Sequence, residues 1–256
     1  MKMPLDQLLQ KAGQTKAEDP IAMLVHALAK VGKTTFGSTF PKPLICDLEN
    51  GTNFLTKKVD VLPWVGKDFP QIMEDLDMIC AEKHSFKTIV IDSVDWLEGK
   101  IEDDVCKQNG VSTINEIQWG KGRGLAMLRL SKFFEKLTYL KGERGVNILL
   151  LAHSAIKRIE DPVFPAYDKW GLKMNDKSSA LVCEWSDIIG YMSFKTEILK
   201  EEGSWGKTTN KAIGSDQRIL SCTHKPAYLA GNRMNLPEEL EPSYDALLNA
   251  IKEVHK

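Results

Sequence analysis

Gly32, Lys33 and Thr34 fall within the stretch HALAKVGKTTF, residues 26–36, and their types suit one job. Successive backbone N–H groups curled around a glycine can enclose a phosphate, a lysine can span to the next phosphate, and a hydroxyl can bind the accompanying cation. The expected cradle is Ala29, Lys30, Val31, Gly32, Lys33, Thr34 and Thr35. Lys33 is assigned to the β- and γ-phosphates of a nucleotide, Thr34 to Mg²⁺ and Thr35 to the α-phosphate. Lys30 lies near the nucleotide or in solvent, and solvent is the preferred reading. Ala27 stands where the pattern G-x-x-x-x-G-K-[ST] opens with glycine. That departure costs on the order of 1 kcal/mol, and only if the residue needs a positive φ.

A nucleotide-bound Mg²⁺ requires a carboxylate at the end of a neighbouring strand. TIVIDS supplies Asp92 after four residues of strand character. Hydrolysis also needs a group that orients or deprotonates the attacking water. The residue after Asp92 is Ser93, so this group must come from another strand end, and LICDLENG offers Asp47 and Glu49. LLLAHS adds His153 on a further strand.

These residues need a scaffold that sets several strand ends side by side. IAMLVHA (21–27), KPLICDLENG (42–51), FKTIVIDSVDW (86–96) and GVNILLLAHS (145–154) are apolar runs of the kind found in parallel strands covered on both faces. Between them, Ile72, Met73, Leu76, Ile79 and Cys80 recur at helical spacing, as do Leu130, Phe133, Phe134, Leu137 and Leu140. Alternating strands and helices predict a parallel α/β sheet. DIIGYMSF (187–194) and QRILSCTH (217–224) read as an antiparallel extension around a Gly/Lys/Thr-rich turn region, and PSYDALLNAIKEV (242–254) as a closing helix.

With 256 residues, 43% hydrophobic and 27% charged, the chain is expected to form one domain over residues 21–256 after a polar segment, 1–20. A formal net charge of −1 supplies no global positive field, so any nucleic-acid contact must come from a local patch. The five cysteines form no C-x-x-C pair, which points to reduced thiols. There is no signal-like segment and no run near the roughly 20 apolar residues of a membrane span. The expectation is a soluble, cytoplasmic protein with no membrane partner.

Taken together, VGKTTF with FPKPLICDLENG, FKTIVIDSVDWL, QWGKGRG, ILLLAHS and AGNRMNLPEEL resemble the phage-encoded, RecA-like ATP-binding proteins of the Sak-type annealing and recombination group. The resemblance spans most of residues 20–245. It implies a RecA-like P-loop NTPase core with a C-terminal antiparallel extension, acting in the cytoplasm of a host cell. It also implies an ATPase with ATP and Mg²⁺ as cofactors, Glu49 as catalytic acid–base, Lys33 as catalytic cation and His153 as a γ-phosphate sensor, with Thr34 and Asp92 at the metal.

The same resemblance implies homo-oligomers in which a basic residue reaches the next subunit's γ-phosphate. Arg233 and Lys225 are the candidates, while Gly231 stands where a lysine is expected. Single-stranded DNA is the implied partner. Residues 154–177 are the expected mobile DNA loop, carrying Lys157, Arg158, Lys169 and Trp170 with Phe164 and Tyr167, and Lys121 and Arg123 in GKGRG form a second, flexible patch. The alternative is an ATP-dependent switch or loader acting through a helicase, a single-strand-binding protein or another replication partner.

Overall fold

The computed structural model describes residues 19–163, 165–202 and 208–254. Five strands form a parallel array: β1 (Ala22–Ala27), β2 (Pro43–Asp47), β3 (Asp60–Pro63), β4 (Thr88–Asp92) and β5 (Asn147–Ile159). β7 (Ile188–Glu202) pairs in parallel with β1, and β8 (Thr208–Ser221) runs antiparallel to β7. Two short strands, β9 (Gly231–Asn232) and β10 (Glu239–Leu240), complete the sheet order β10-β8-β7-β1-β5-β4-β2-β3, with β9 on β7.

The apolar runs lack polar alternation because both faces of the strands are covered. Leu24, Ile89, Ile91, Ile148 and Leu150 face one core layer, against α2 (Phe69–Ala81), α3 (Val94–Asn109), α4 (Lys121–Gly142) and α5 (Asp176–Trp185). Met23, Val25, Ile45, Val90 and Leu149 face the other, against α1 (Lys33–Ser38) and α6 (Tyr244–Val254). α2 starts at Asp68, whose carboxylate accepts from Gln71 N while the Gln71 side chain accepts from Asp68 N. This reciprocal cap sets the helix start. All five cysteines are free, and among the described residues no helix is long and apolar enough to cross a membrane.

The antiparallel extension is much longer than expected. The 187–194 and 217–224 strands belong to a β7–β8 hairpin paired as far as Glu202↔Thr208, and residues 203–207 lie outside the described residues, as does the polar segment 1–18. Among the described residues, edge strand β3, the short strands β9 and β10, and helices α3 and α5 are additional to the sequence reading.

Residues 154–177, expected as a mobile loop, are built differently. β5 runs on to Ile159 and pairs antiparallel with β6 (Tyr167–Leu172), and α5 starts at Asp176. Ile156 and Arg158 sit directly across from Trp170 and Asp168, cross-strand pairs that suit two strands of a ribbon. Phe164 lies outside the described residues. GKGRG is likewise not a flexible patch: after Gly120 at φ 67°, Lys121, Gly122, Arg123 and Gly124 form the first turn of α4. Gly122 packs so closely on Ile114 that a Cβ there would meet its carbonyl oxygen at 2.6 Å.

One buried histidine on β1 ties β5 to the segment that follows β8. His26 is fully buried, with Nε2 2.6 Å from the Leu229 carbonyl oxygen and Nδ1 2.8 Å from Ser154 Oγ. A carbonyl only accepts, so Nε2 carries the proton and donates, and the neutral Nδ1 accepts from the serine hydroxyl. Burial pulls the imidazole down from about 6.5 to about 4.

Between those pH values the unfolded chain binds the extra proton and the native one does not. The contribution of His26 is therefore full above pH 6.5 and falls as the pH drops toward 4, at about 1.4 kcal/mol per unit and about 3 kcal/mol in all. Denaturant titrations of wild type and His26→Gln should show a stability difference that shrinks by that amount over this window. A pH-independent difference would contradict the assignment.

Candidate active site

The parallel pairing places the chemistry-bearing residues at one edge. Ala27 is opposite His153, Asp47 is opposite Asp92, and Asp92 is opposite Leu151. All four strand ends therefore open on the same side of the sheet, where ligands bind in α/β folds.

The loop after β1 turns through Lys30 at φ 67° and Gly32 at φ 110° before α1 begins. Gly32 needs that left-handed conformation, which other residues adopt only with strain. Ala27 does not: it is the last, fully buried residue of β1 and has no positive φ. The missing first glycine thus carries no backbone penalty. Leu28, Ala29 and Lys30 are exposed, Val31 is buried, and Thr35 is exposed on α1.

Lys33 is 7% exposed, and its Nζ reaches back to the Leu28 carbonyl oxygen at 3.4 Å. Burial draws its ammonium below the ordinary lysine range, against the attraction of Asp92, Glu49 and Asp95. A desolvated cation facing three carboxylates is poised for an anionic ligand that brings its own counter-ion. Thr34 Oγ1 donates to Asp92 Oδ2 at 2.6 Å, which joins two oxygen ligands of the type hard divalent cations take. Burial pushes Asp92 up to about 6; Glu49 and Asp47 add to this, and the Thr34 hydrogen bond and Lys33 oppose it. The carboxylate and hydroxyl oxygens of Asp92 and Thr34 fit Mg²⁺, and a glycine whose backbone N–H belongs to the loop fits a phosphate.

Asp47 and Glu49 divide the work of the second strand end. Asp47 Oδ1 accepts from Glu49 N at 3.0 Å and Gly51 N at 3.2 Å, and Oδ2 accepts from Thr52 N at 3.1 Å and Thr52 Oγ1 at 2.7 Å. With its acceptor sites filled, Asp47 shapes the loop, and Glu49 is the acid left facing the site. The Ser93 hydroxyl donates to Glu49 Oε1, and His153 Nδ1 lies 3.5 Å from the same oxygen.

His153 is held by Asp95, in the first turn of α3. Asp95 Oδ1 accepts from His153 N at 2.9 Å, and Oδ2 lies 3.0 Å from Nδ1. Burial opposes the Asp95 carboxylate, but the side-chain and backbone hydrogen bonds from His153 outweigh it and hold the group below the usual range. Ligand atoms of Glu49, Asp95 and His153 lie within 4.8 Å of one another. A carboxylate only accepts, so the 3.0 Å contact between Nδ1 and Oδ2 puts the proton on Nδ1, which donates to Asp95. Asp95 was not among the sequence candidates; it lies at the start of α3, three residues past the strand-end Asp92.

The remaining basic candidates are dispersed and mostly paired. Arg123 bonds Glu102. Lys157 donates to Met174 O at 2.9 Å and Asp176 Oδ1 at 3.1 Å, and Arg158 lies 3.4 Å from Asp168. Lys169 stands opposite Lys157, and Trp170 opposite Ile156, in the β5–β6 hairpin. Lys225 pairs with Glu238 at 2.8 Å. Arg233 bonds Asp187 at 3.4 Å and the Glu184 carbonyl at 3.0 Å, at the opposite end of β7 from the phosphate loop. Neither Lys225 nor Arg233 joins the site of its own chain.

A cation and loop amides at one strand end, with a water-facing acid at the next, are the division of labour of a P-loop ATPase. The chain belongs to the AAA domain family AAA_24, which matches residues 19–234. The SPbeta prophage-derived uncharacterized protein YorG of Bacillus subtilis (strain 168) is 28% identical over 217 residues. That alignment takes in 81% of this chain, which spans only 62% of the length of its relative. A crystal structure of the RadB recombinase aligns with 85% of this chain and 84% of its own at 13% identity and a TM-score of 0.43.

Proposed function

We propose that the protein is a Mg²⁺-dependent, RecA-like ATPase that acts on single-stranded DNA in phage recombination or annealing. The observation that carries the ATPase reading is that Lys33 and Thr34 at the start of α1 meet Asp92 and Glu49 at the ends of the paired strands β4 and β2. Thr34 and Asp92 would hold the cation, which when bound offsets the charge on the phosphates. Loop amides and Lys33 bind the triphosphate. Glu49, oriented by Ser93, takes the proton of the attacking water as the water oxygen joins the γ-phosphorus and the bond to the ADP oxygen breaks. His153, fixed by Asp95, holds the far side of Glu49.

For DNA, the supporting feature is continuity. His153 and the β5–β6 hairpin lie on one strand, with Lys157 four residues beyond the histidine and Lys169 and Trp170 on the return strand. Paired cations and an indole on a ribbon suit a phosphate backbone with stacked bases. The prophage origin in the name of the Bacillus relative supports a phage setting, and oligomers would align such small patches into one track.

Single-stranded DNA is expected to raise ATP turnover at low salt and to lose that effect as salt rises. A steady-state rate unchanged by DNA across the salt range would contradict the reading. The second reading, a switch or loader acting through a replication protein, is favoured by the neutralised basic residues, among them Lys157, Arg158, Lys225 and Arg233. Gel filtration with ATP and DNA separates the two: growth into large assemblies supports the first, and a persistent small species the second.

A further inference from the structure

Arg218 belongs to none of the groups considered so far, yet its side chain lies over the phosphate loop. A Cβ built on Gly32 would sit 3.3 Å from Arg218 Nε, 3.5 Å from Cδ and 3.6 Å from Cζ. Gly32 is the left-handed residue at the centre of the loop, so the space above its Cα adjoins the phosphate cradle. The sheet explains the approach. β7 runs beside β1 with His26 opposite Tyr191, then continues past the end of β1, and Arg218 on β8 is opposite Phe194 on that overhang.

The guanidinium is held in a way that leaves its donors usable. Cζ lies 5.6 Å from the Phe194 ring centroid, a cation–π placement that steers the head without consuming its N–H groups. The residue is exposed, and among the described residues no carboxylate is within ion-pair distance of it. Lys225 and Arg233, by contrast, are each paired with an acid. An arginine with no acidic partner among the described residues, beside a phosphate loop, has the geometry for bidentate contact with phosphate oxygens.

We propose that Arg218 contacts the terminal phosphate of the nucleotide bound to its own chain, and so distinguishes a triphosphate from a diphosphate and couples the β7–β8 hairpin to that difference. The proposal rests on the nucleotide-binding reading above. The test compares ATPγS and ADP, each with Mg²⁺, binding to full-length wild type, Arg218→Ala, Arg218→Lys and the neighbouring Gln217→Ala. Arg218→Ala is expected to weaken ATPγS about ten-fold or more while ADP stays within about three-fold. Arg218→Lys should keep part of the difference, Gln217→Ala should match wild type, and melting temperatures should agree because the side chain is exposed.

Equal losses for both nucleotides, no loss, or tighter binding by Arg218→Ala would each overturn the proposal; the last would mark Arg218 as an obstruction in the cradle. Rescue of activity on mixing Arg218→Ala with Lys33→Ala chains would also overturn it, since it would place the contact between subunits. Wild type that binds neither nucleotide would instead defeat the ATPase reading, which keeps the two failures distinct.

Discussion

Glu49→Gln is expected to reduce ATP turnover by about 10²–10⁴-fold while ATP affinity stays within about three-fold of wild type. The amide keeps the size and the hydrogen-bond acceptor that Ser93 uses, so the loop set by Asp47 stays in place. What it loses is the ability to take a proton. The split between binding and turnover is the informative part. A role confined to holding the loop would lower affinity and turnover together, and Asp47→Asn should behave in that way because it weakens four acceptor contacts at once. Binding titrations beside single-turnover hydrolysis measure both quantities. Near-normal turnover by Glu49→Gln would remove it as the water-activating group.

Lys33→Ala is expected to lower ATP affinity by about 10–100-fold and to leave no measurable turnover. The buried ammonium faces Asp92, Glu49 and Asp95, so its loss removes the cation that offsets these carboxylates beside the triphosphate. Like charges at that distance repel strongly in a partly desolvated site. The free protein should tolerate the change, because the hydrogen bond from Nζ to Leu28 is long at 3.4 Å and the acids can take up protons. Circular dichroism and thermal melting should therefore match wild type. Unfolding of the variant would show that Lys33 is a structural cation.

The strands that carry the site were legible because each is covered on both faces and so lacks polar alternation, as in Ala22–Ala27 and Thr88–Asp92. Their ends were legible too, since Asp92, Glu49 and His153 each follow an apolar run. β3 was not, because it is a short edge strand whose residues are largely exposed. α3 was masked by the strand before it: only Asp92 and Ser93 separate the apolar run of β4 from Val94, Trp96 and Leu97. The β5–β6 hairpin was obscured by its charge, which suggested a solvated connector, although its strand pairing sets Lys157 against Lys169.

The basic candidates show where reading along the chain loses power. Lys225 and Arg233 were chosen by position in the tail, but their partners Glu238 and Asp187 come from separate segments. Arg218 sits in a stretch, QRILSCTH, that reads only as a strand. It nears Gly32 because three strands are hydrogen-bonded side by side, a relation across about 190 positions that no local spacing encodes.

Calorimetric titration of ATP into the purified full chain, with and without Mg²⁺, tests the central claim most directly. The account predicts one site per chain, tighter with Mg²⁺ than without it, and weakened by Lys33→Ala. Absence of binding by any nucleoside triphosphate at all magnesium concentrations, with a folded protein in the cell, would contradict it.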